Sequence, residues 1–208
     1  VIDNPYWNDV EPQVSNRSWL DGGRVVAYPF MMTLSIRMNL VGEYSYTVTA
    51  PDTLDFVRRH CTKRVLDPMA GTGYWAYLLG QVGIEVIATD LNPPEVGEVQ
   101  NIWHMNAQTH VPVKRDNAVD AMIISEPEDT LLLSWPPASE IATLTLQAFR
   151  GNRLIYIGEW GSSCASTSFF TLLEAGWRLS EEHVPVRYEM LHDVVTVWER
   201  TRQPRSTI

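Results

Sequence analysis

The chain has 208 residues, enough for one α/β domain with a full core and too few for a cofactor domain joined to a separate catalytic domain. Apolar residues make up 45% and charged residues 20%, which excludes a disordered majority. A formal charge of -9, with 16 scattered basic residues, argues against a large nucleic-acid footprint, because phosphate binding needs clustered Lys and Arg.

In residues 1–50, Pro5, Pro12, Pro29 and Gly22-Gly23 break any long element, so this segment reads as a cap or lid on a domain formed by residues 51–208. Its most apolar stretch, residues 25–36, falls short of the ~20 residues a membrane span needs. A Pro51-Asp52 start then leads into a helix over 53–60. Arg58, Arg59, Lys63 and Arg64 flank its end, where cations complement the helix dipole.

From residue 63 onward, short β-branched runs alternate with helix-compatible stretches, the pattern of a parallel sheet with crossover helices. The predicted strands are 63–67, 84–89, 111–115, 130–134 and 153–158. The predicted helices are 74–82, 95–107, a short one near 117–124, 139–149 and 166–175. Residues 177–186 and 191–200 read as an antiparallel hairpin joined by Arg187-Tyr188-Glu189-Met190. Cys61 and Cys164 show no CxxC or His-paired spacing, so neither a disulfide nor a metal site is expected, and a reducing, cytoplasmic setting fits. No stretch reads as a targeting peptide.

The run Val65-Leu66-Asp67-Pro68-Met69-Ala70-Gly71-Thr72-Gly73-Tyr74-Trp75 reads as a buried strand, an acid at its end, a glycine-bearing turn and a helix start. Glycine is needed there because backbone bends sharply or approaches a ligand closely. Seventeen residues after Gly73, the second strand ends in Asp90, placing a carboxylate where the two hydroxyls of a ribose can be held. Residues 71–76 also satisfy the GxGxxG/A pattern of nicotinamide sites. In those sites the first glycine follows the strand directly, whereas here Asp67 to Ala70 intervene, with a carboxylate that would repel a pyrophosphate. A sulfonium cofactor with an α-amino group and no phosphate suits an acid in that place.

This segment resembles motif I of class I S-adenosylmethionine-dependent methyltransferases, an acid followed by GxGxG, with Met69 in place of the first glycine. DPMAGTG is similar to the DPFxGxG variant of amino-methyltransferases that act on nucleic-acid bases. The resemblance implies a Rossmann-like α/β fold: a seven-stranded, mostly parallel sheet with helices on both faces and a C-terminal antiparallel hairpin. It implies S-adenosyl-L-methionine as cofactor and S-adenosyl-L-homocysteine as product. Asp67, Ala70, Gly71 and Gly73, with Pro68 and Met69 of the same turn, would line the methionine part; Asp90 would hold the ribose and Leu91 would pack on the adenine. Asp116 and Asn117, after the third strand, would hold the adenine edge. Tyr44 and Tyr46 precede the first strand's helix, in a segment that covers the cofactor in related folds, and Tyr46 is taken as a cofactor contact.

In the position of the family's motif IV stands Leu133-Ser134-Trp135-Pro136-Pro137. Amino-methyltransferases carry [DNS]PP[YFW] there; here Trp135 lies between Ser134 and the prolines and Ala138 follows, so the order departs from base methylation. Ser134, Trp135 and Pro136 are candidate acceptor-side residues. The alternative is that the prolines only stop the strand before a Ser139-capped helix. Trp75, Trp135 and Trp160, among eight tryptophans, fall at strand ends on the ligand edge, where aromatic walls stack flat groups or face cations. Glu159 is the leading acid for orienting an acceptor; Glu126, Glu128, His104 and His192 are further candidates for proton transfer. Three functions follow: methylation of a small molecule or short peptide, methylation of an amino group in nucleic acid, and a non-catalytic cofactor-binding subunit. Charge and the misplaced aromatic favour the first.

Overall fold

A computed structural model describes residues 2–15, 24–26, 30–94, 101–104, 107–161 and 163–201. The elements in chain order are α1 (Pro5–Val10), β1 (Val14–Ser15), β2 (Val25–Val26), α2 (Phe30–Glu43), α3 (Pro51–His60), β3 (Arg64–Asp67), α4 (Tyr74–Gly80) and β4 (Glu85–Asp90). They continue with β5 (Lys114–Arg115), a 3-10 turn (Asp120–Ile124), β6 (Thr130–Ser134), α5 (Ile141–Ala148), β7 (Arg153–Gly158), α6 (Thr167–Gly176), β8 (Trp177–His183), β9 (Arg187–Tyr188) and β10 (Val194–Arg200).

Among the described residues, seven strands form one sheet in the order β5-β4-β3-β6-β7-β10-β8. All pairs from β5 to β7 are parallel, while β10 is antiparallel to both β7 and β8. The chain reverses its strand order between β3 and β6, and in open α/β sheets ligands bind beyond the strand ends at such a switch point.

Strand side chains alternate between two cores with period 2. Val65, Leu132, Ile155, Ile157, Val195 and Val197 face one side, where they meet Leu54 and Val57 of α3, Leu78 and Leu79 of α4, and Tyr6 and Val10 of α1. Leu66, Leu131, Leu133, Leu154, Tyr156 and Trp198 face the other, against Leu146 of α5 and Phe169 and Leu173 of α6. Both faces are therefore covered by helices over the central strands, and β6 and β7 read as nearly continuous apolar runs, whereas the edge strands β5 and β8 carry charged, exposed residues.

The strands predicted at 63–67, 84–89, 130–134 and 153–158 form within a residue of those bounds. The third is shorter than the predicted 111–115, since only Lys114–Arg115 pairs with β4 and Pro112 offers no amide to extend the ladder. The predicted helix 95–107 lies mostly outside the described residues, and its described residues, 101–104 and 107, include a turn at 102–104 and no helix. The 187–190 connection is not a tight hairpin turn: Arg187–Tyr188 forms a strand parallel to β2 in a second sheet, β1-β2-β9. The N-terminal region is more regular than its prolines and glycines predict, because α2 fits 14 residues between Pro29 and Tyr44. Cys61 and Cys164 are free thiols. No described helix is long and apolar enough to cross a membrane.

Candidate functional site

A cavity of about 840 Å³ opens at the C-terminal ends of β3, β4 and β6. Pro68, Met69 and Gly71 of the glycine turn, Asp90 and Leu91 at the end of β4, Asn117 after β5, Ser134 and Trp135 at the end of β6, and Tyr46 all line it. Its size lies toward the top of the ~300–1,000 Å³ range of small-molecule sites.

The turn after β3 is held by backbone bonds. Ala70 N donates to Thr89 O at 3.0 Å, and Gly73 N donates to Ala70 O at 2.8 Å. Gly71 sits at φ +54, and a Cβ on it would lie 2.3 Å from His104 Nε2. Here the glycine answers both a left-handed backbone and a close neighbour. Gly73, at φ +73, caps α4; a Cβ there would meet Val111 and Val113 at 2.8 and 2.9 Å. Its need for glycine thus comes from a left-handed backbone and from packing, and it is not on the cavity wall.

Asp90 is fixed by the backbone, its Oδ2 accepting from Gly71 N and its Oδ1 from Asn92 N, each at 2.9 Å. Each oxygen keeps a second lone pair for a ligand hydroxyl. Asp67 lies buried behind the wall, and its Oδ1 has no hydrogen-bond partner among the described residues. Burial, with the neighbouring Asp90 charge, pushes its carboxyl up to about 8, against a smaller lowering by the Met69 amide. A buried acid with an orphaned oxygen is costly unless a cation comes near it.

The other part of the cavity is made by side chains. Trp75, buried on α4, donates its indole N–H to Ser134 Oγ at 3.1 Å, which leaves the Ser134 hydroxyl hydrogen free to donate elsewhere. Trp135 adopts φ +48, unusual for a bulky residue, and its backbone N–H donates to Ile157 O at 2.8 Å. Its indole N–H reaches Thr47 Oγ at 3.1 Å and Asp193 Oδ2 at 3.2 Å, while Thr47 Oγ donates to the same Asp193 oxygen at 2.6 Å. Tyr46 stacks on Trp135 with centroids 4.9 Å apart, and the Arg37 guanidinium lies 5.7 Å from the Tyr46 ring and 5.6 Å from the Trp135 ring. Desolvation raises the Asp193 carboxyl to about 6, although Thr47, Trp135 and Arg37 all favour its charged form.

Several predicted residues stand elsewhere. Asp116 turns to Lys114, 2.8 Å away, and its Oδ1 accepts from Asn117 N, so Asn117 rather than Asp116 reaches the cavity. Ala70 lies off the wall and Pro136 is buried, its carbonyl accepting from Ala165 N at 3.0 Å. Glu159 is buried off the cavity, with Oε1 accepting from His192 N at 3.1 Å. Trp160 stacks on Trp198, centroids 5.7 Å apart, rather than on the cavity. Sequence reading did not single out Asp193, Thr47, Arg37 or Asn101. The one local signal for Asp193 was an acid heading the apolar run 194–198.

The strand order and the switch-point turn give this chain the fold of class I, Rossmann-like S-adenosylmethionine-dependent methyltransferases. No family model and no curated protein matches the sequence. Solved structures do match. A 1,6-didemethyltoxoflavin-N1-methyltransferase from Burkholderia thailandensis, with 1,6-didemethyltoxoflavin and S-adenosylhomocysteine bound, is 15% identical over 89% of this chain and 99% of that one, at a TM-score of 0.53. A magnesium protoporphyrin IX methyltransferase from Synechocystis, with S-adenosylhomocysteine bound, is 14% identical over 95% of this chain and 93% of that one, at a TM-score of 0.51. At such identities the likeness establishes the fold, and a fold does not by itself select an acceptor.

Proposed function

We propose that the chain is an S-adenosylmethionine-dependent methyltransferase acting on a small-molecule or short-peptide acceptor. The observation that carries this reading is that the glycine turn, Asp90 and the Ser134-Trp135 edge share one cavity. The two solved structures with S-adenosylhomocysteine support it. The residues suit the cofactor: Asp90 offers fixed acceptors for ribose hydroxyls, Leu91 and Asn117 would border the adenine, and the Asp67 oxygen, unbonded among the described residues, would favour a nearby α-amino group. When bound, the cofactor supplies an activated methyl for in-line displacement.

The protein's own part is to hold the nucleophile about 3 to 3.5 Å from that methyl and to exclude water. Ser134 offers a hydroxyl donor, and the Tyr46-Trp135 pair offers an aromatic wall. Residues 1–50 serve as a cap to the domain of residues 51–208, delivering Tyr46 to the cavity and Tyr6 to the core. Asp90 is the one charged side chain among the described cavity-lining residues, so the acceptor edge is walled by uncharged groups.

The test is transfer of a methyl-tritiated label from the cofactor into an extract of small molecules compared with total RNA. Label in the small-molecule fraction that vanishes in Asp90→Ala is the expected result. Label confined to RNA would reject the acceptor class, and no binding of cofactor would reject the activity.

A further inference from the structure

His104 is held by a short turn tied to the cofactor strand. Asn101 Oδ1 accepts from the amides of Trp103 and His104 at 2.9 and 3.0 Å, while its own amide donates to Asn92 O at 2.7 Å, two residues past Asp90. The imidazole is buried, and Nδ1 lies 3.2 Å from the carbonyl oxygen of Gly42 at the end of α2. A carbonyl can only accept, so Nδ1 carries the ring hydrogen and Nε2 keeps its lone pair. Nε2 faces Gly71 and makes no hydrogen bond among the described residues. The same ring lines the cavity with Ser134 and Trp135, and Tyr46 stands edge-on to it at 6.2 Å.

Burial lowers the pKa of this imidazole, outweighing the Gly42 and Val41 backbone and the Asp90 carboxylate, which raise it. The ring is therefore neutral near pH 7 and ready to accept a proton. A base in this place bears on the choice of acceptor. A carboxylate already holds its electron pair and needs no base, whereas an O–H, or an N–H whose nitrogen pair is delocalised, must lose its proton as it is methylated.

Resting on the methyltransferase reading, we infer that His104 Nε2 is the general base, and that the acceptor is an uncharged molecule carrying an O–H or N–H rather than a carboxylate. The X–H bond breaks and its proton passes to Nε2. The freed electron pair bonds to the methyl carbon, and the carbon–sulfur pair leaves with S-adenosylhomocysteine. The imidazolium then returns its proton to water, so charge and atoms balance.

Two measurements decide it. Long-range proton–nitrogen spectra of histidine-labelled protein should show His104 as the Nδ1–H tautomer, titrating below the ordinary 6.5. Methyl-tritiated cofactor should label neutral phenols and N–H heteroaromatics but not aryl carboxylates of matched size. His104→Ala should cut that transfer about 10²-fold, the lower end of what general bases supply. Added imidazole should restore part of it, while affinity for S-adenosylhomocysteine stays within about threefold of wild type, as it must if the ring acts on the acceptor. An Nε2–H tautomer, label on the carboxylates instead, undiminished transfer by His104→Ala, or a wild type that binds the cofactor yet labels no neutral probe would overturn the inference. A wild type that binds no cofactor would instead reject the underlying methyltransferase reading.

Discussion

One part of the cavity, from Pro68 to Leu91, comes from a continuous β3–α4–β4 unit, whereas the other gathers Tyr46 from before α3 and Ser134 and Trp135 from after β6, backed by Asp193 from before β10. The first part is shaped mainly by backbone: a left-handed Gly71, amide bonds onto Asp90, and a turn tied to β4. The second is shaped by side chains meeting across 146 residues, as in the bond from Thr47 to Asp193. A backbone-made surface suits a cofactor of fixed shape. A side-chain-made surface can be altered one residue at a time, which suits the part of the site that sets acceptor choice.

Substitutions at Gly71 break the first part most severely. Gly71→Arg forces a side chain into the space held by His104 at a left-handed φ, and cofactor affinity is expected to fall beyond detection. Asp90→Ala removes two anchored acceptors and is expected to weaken cofactor binding by about 1.5–3 kcal/mol, roughly 10- to 150-fold. Binding unchanged in both would break the assignment of this wall.

The second part is sharpened by Asp193→Asn and Trp135→Phe. Trp135→Phe leaves Asp193 without one of its donors, at a cost of about 1–3 kcal/mol, read as a lower Tm by roughly 2–10 °C. Either change should reduce methyl transfer several-fold with cofactor affinity intact. Loss of cofactor affinity in both would mean that the two parts are not separable.

Asp67 yields a pH test. Its folded-state carboxyl titrates near 8, above the ordinary 3.8, so its protonated form is the one the ligand-free fold favours. That contribution is fully present below about pH 4 and is lost as pH rises through about 8. Asp67→Asn should therefore gain stability relative to wild type between pH 5 and pH 8.5, by an amount on the order of 1–3 kcal/mol in denaturant titrations without cofactor. A difference that does not change with pH would contradict the burial argument. The smallest effect is expected from Asp116→Ala, whose side chain pairs with exposed Lys114; cofactor affinity should change less than about twofold.

The backbone-made part was legible in the sequence because strand, acid, glycine turn and second acid follow one another within 24 residues, Asp67 to Asp90. Even there, the motif could not separate Gly71, which meets the cavity, from Gly73, which meets Val111 and Val113. Helix α2 escaped notice because its apolar residues surround the axis instead of forming one stripe: Leu34, Met38 and Val41 fall on one side and Ile36 and Leu40 on another. Glu159 was named from its place after β7, where strand ends carry many carboxylates, whereas the bond from Trp135 to Asp193 is visible only in tertiary packing. Arg37 left no local signal, because its neighbours Tyr46, Trp135 and Tyr188 are 9 to 151 positions away.

The most direct test of the central claim is titration calorimetry of the wild-type protein and Asp90→Ala with S-adenosylmethionine. Binding at one site per chain, weakened at least tenfold by the substitution, is the predicted result. No heat with the wild type, or equal affinity in both proteins, would contradict the assignment of this cavity to the methyl donor.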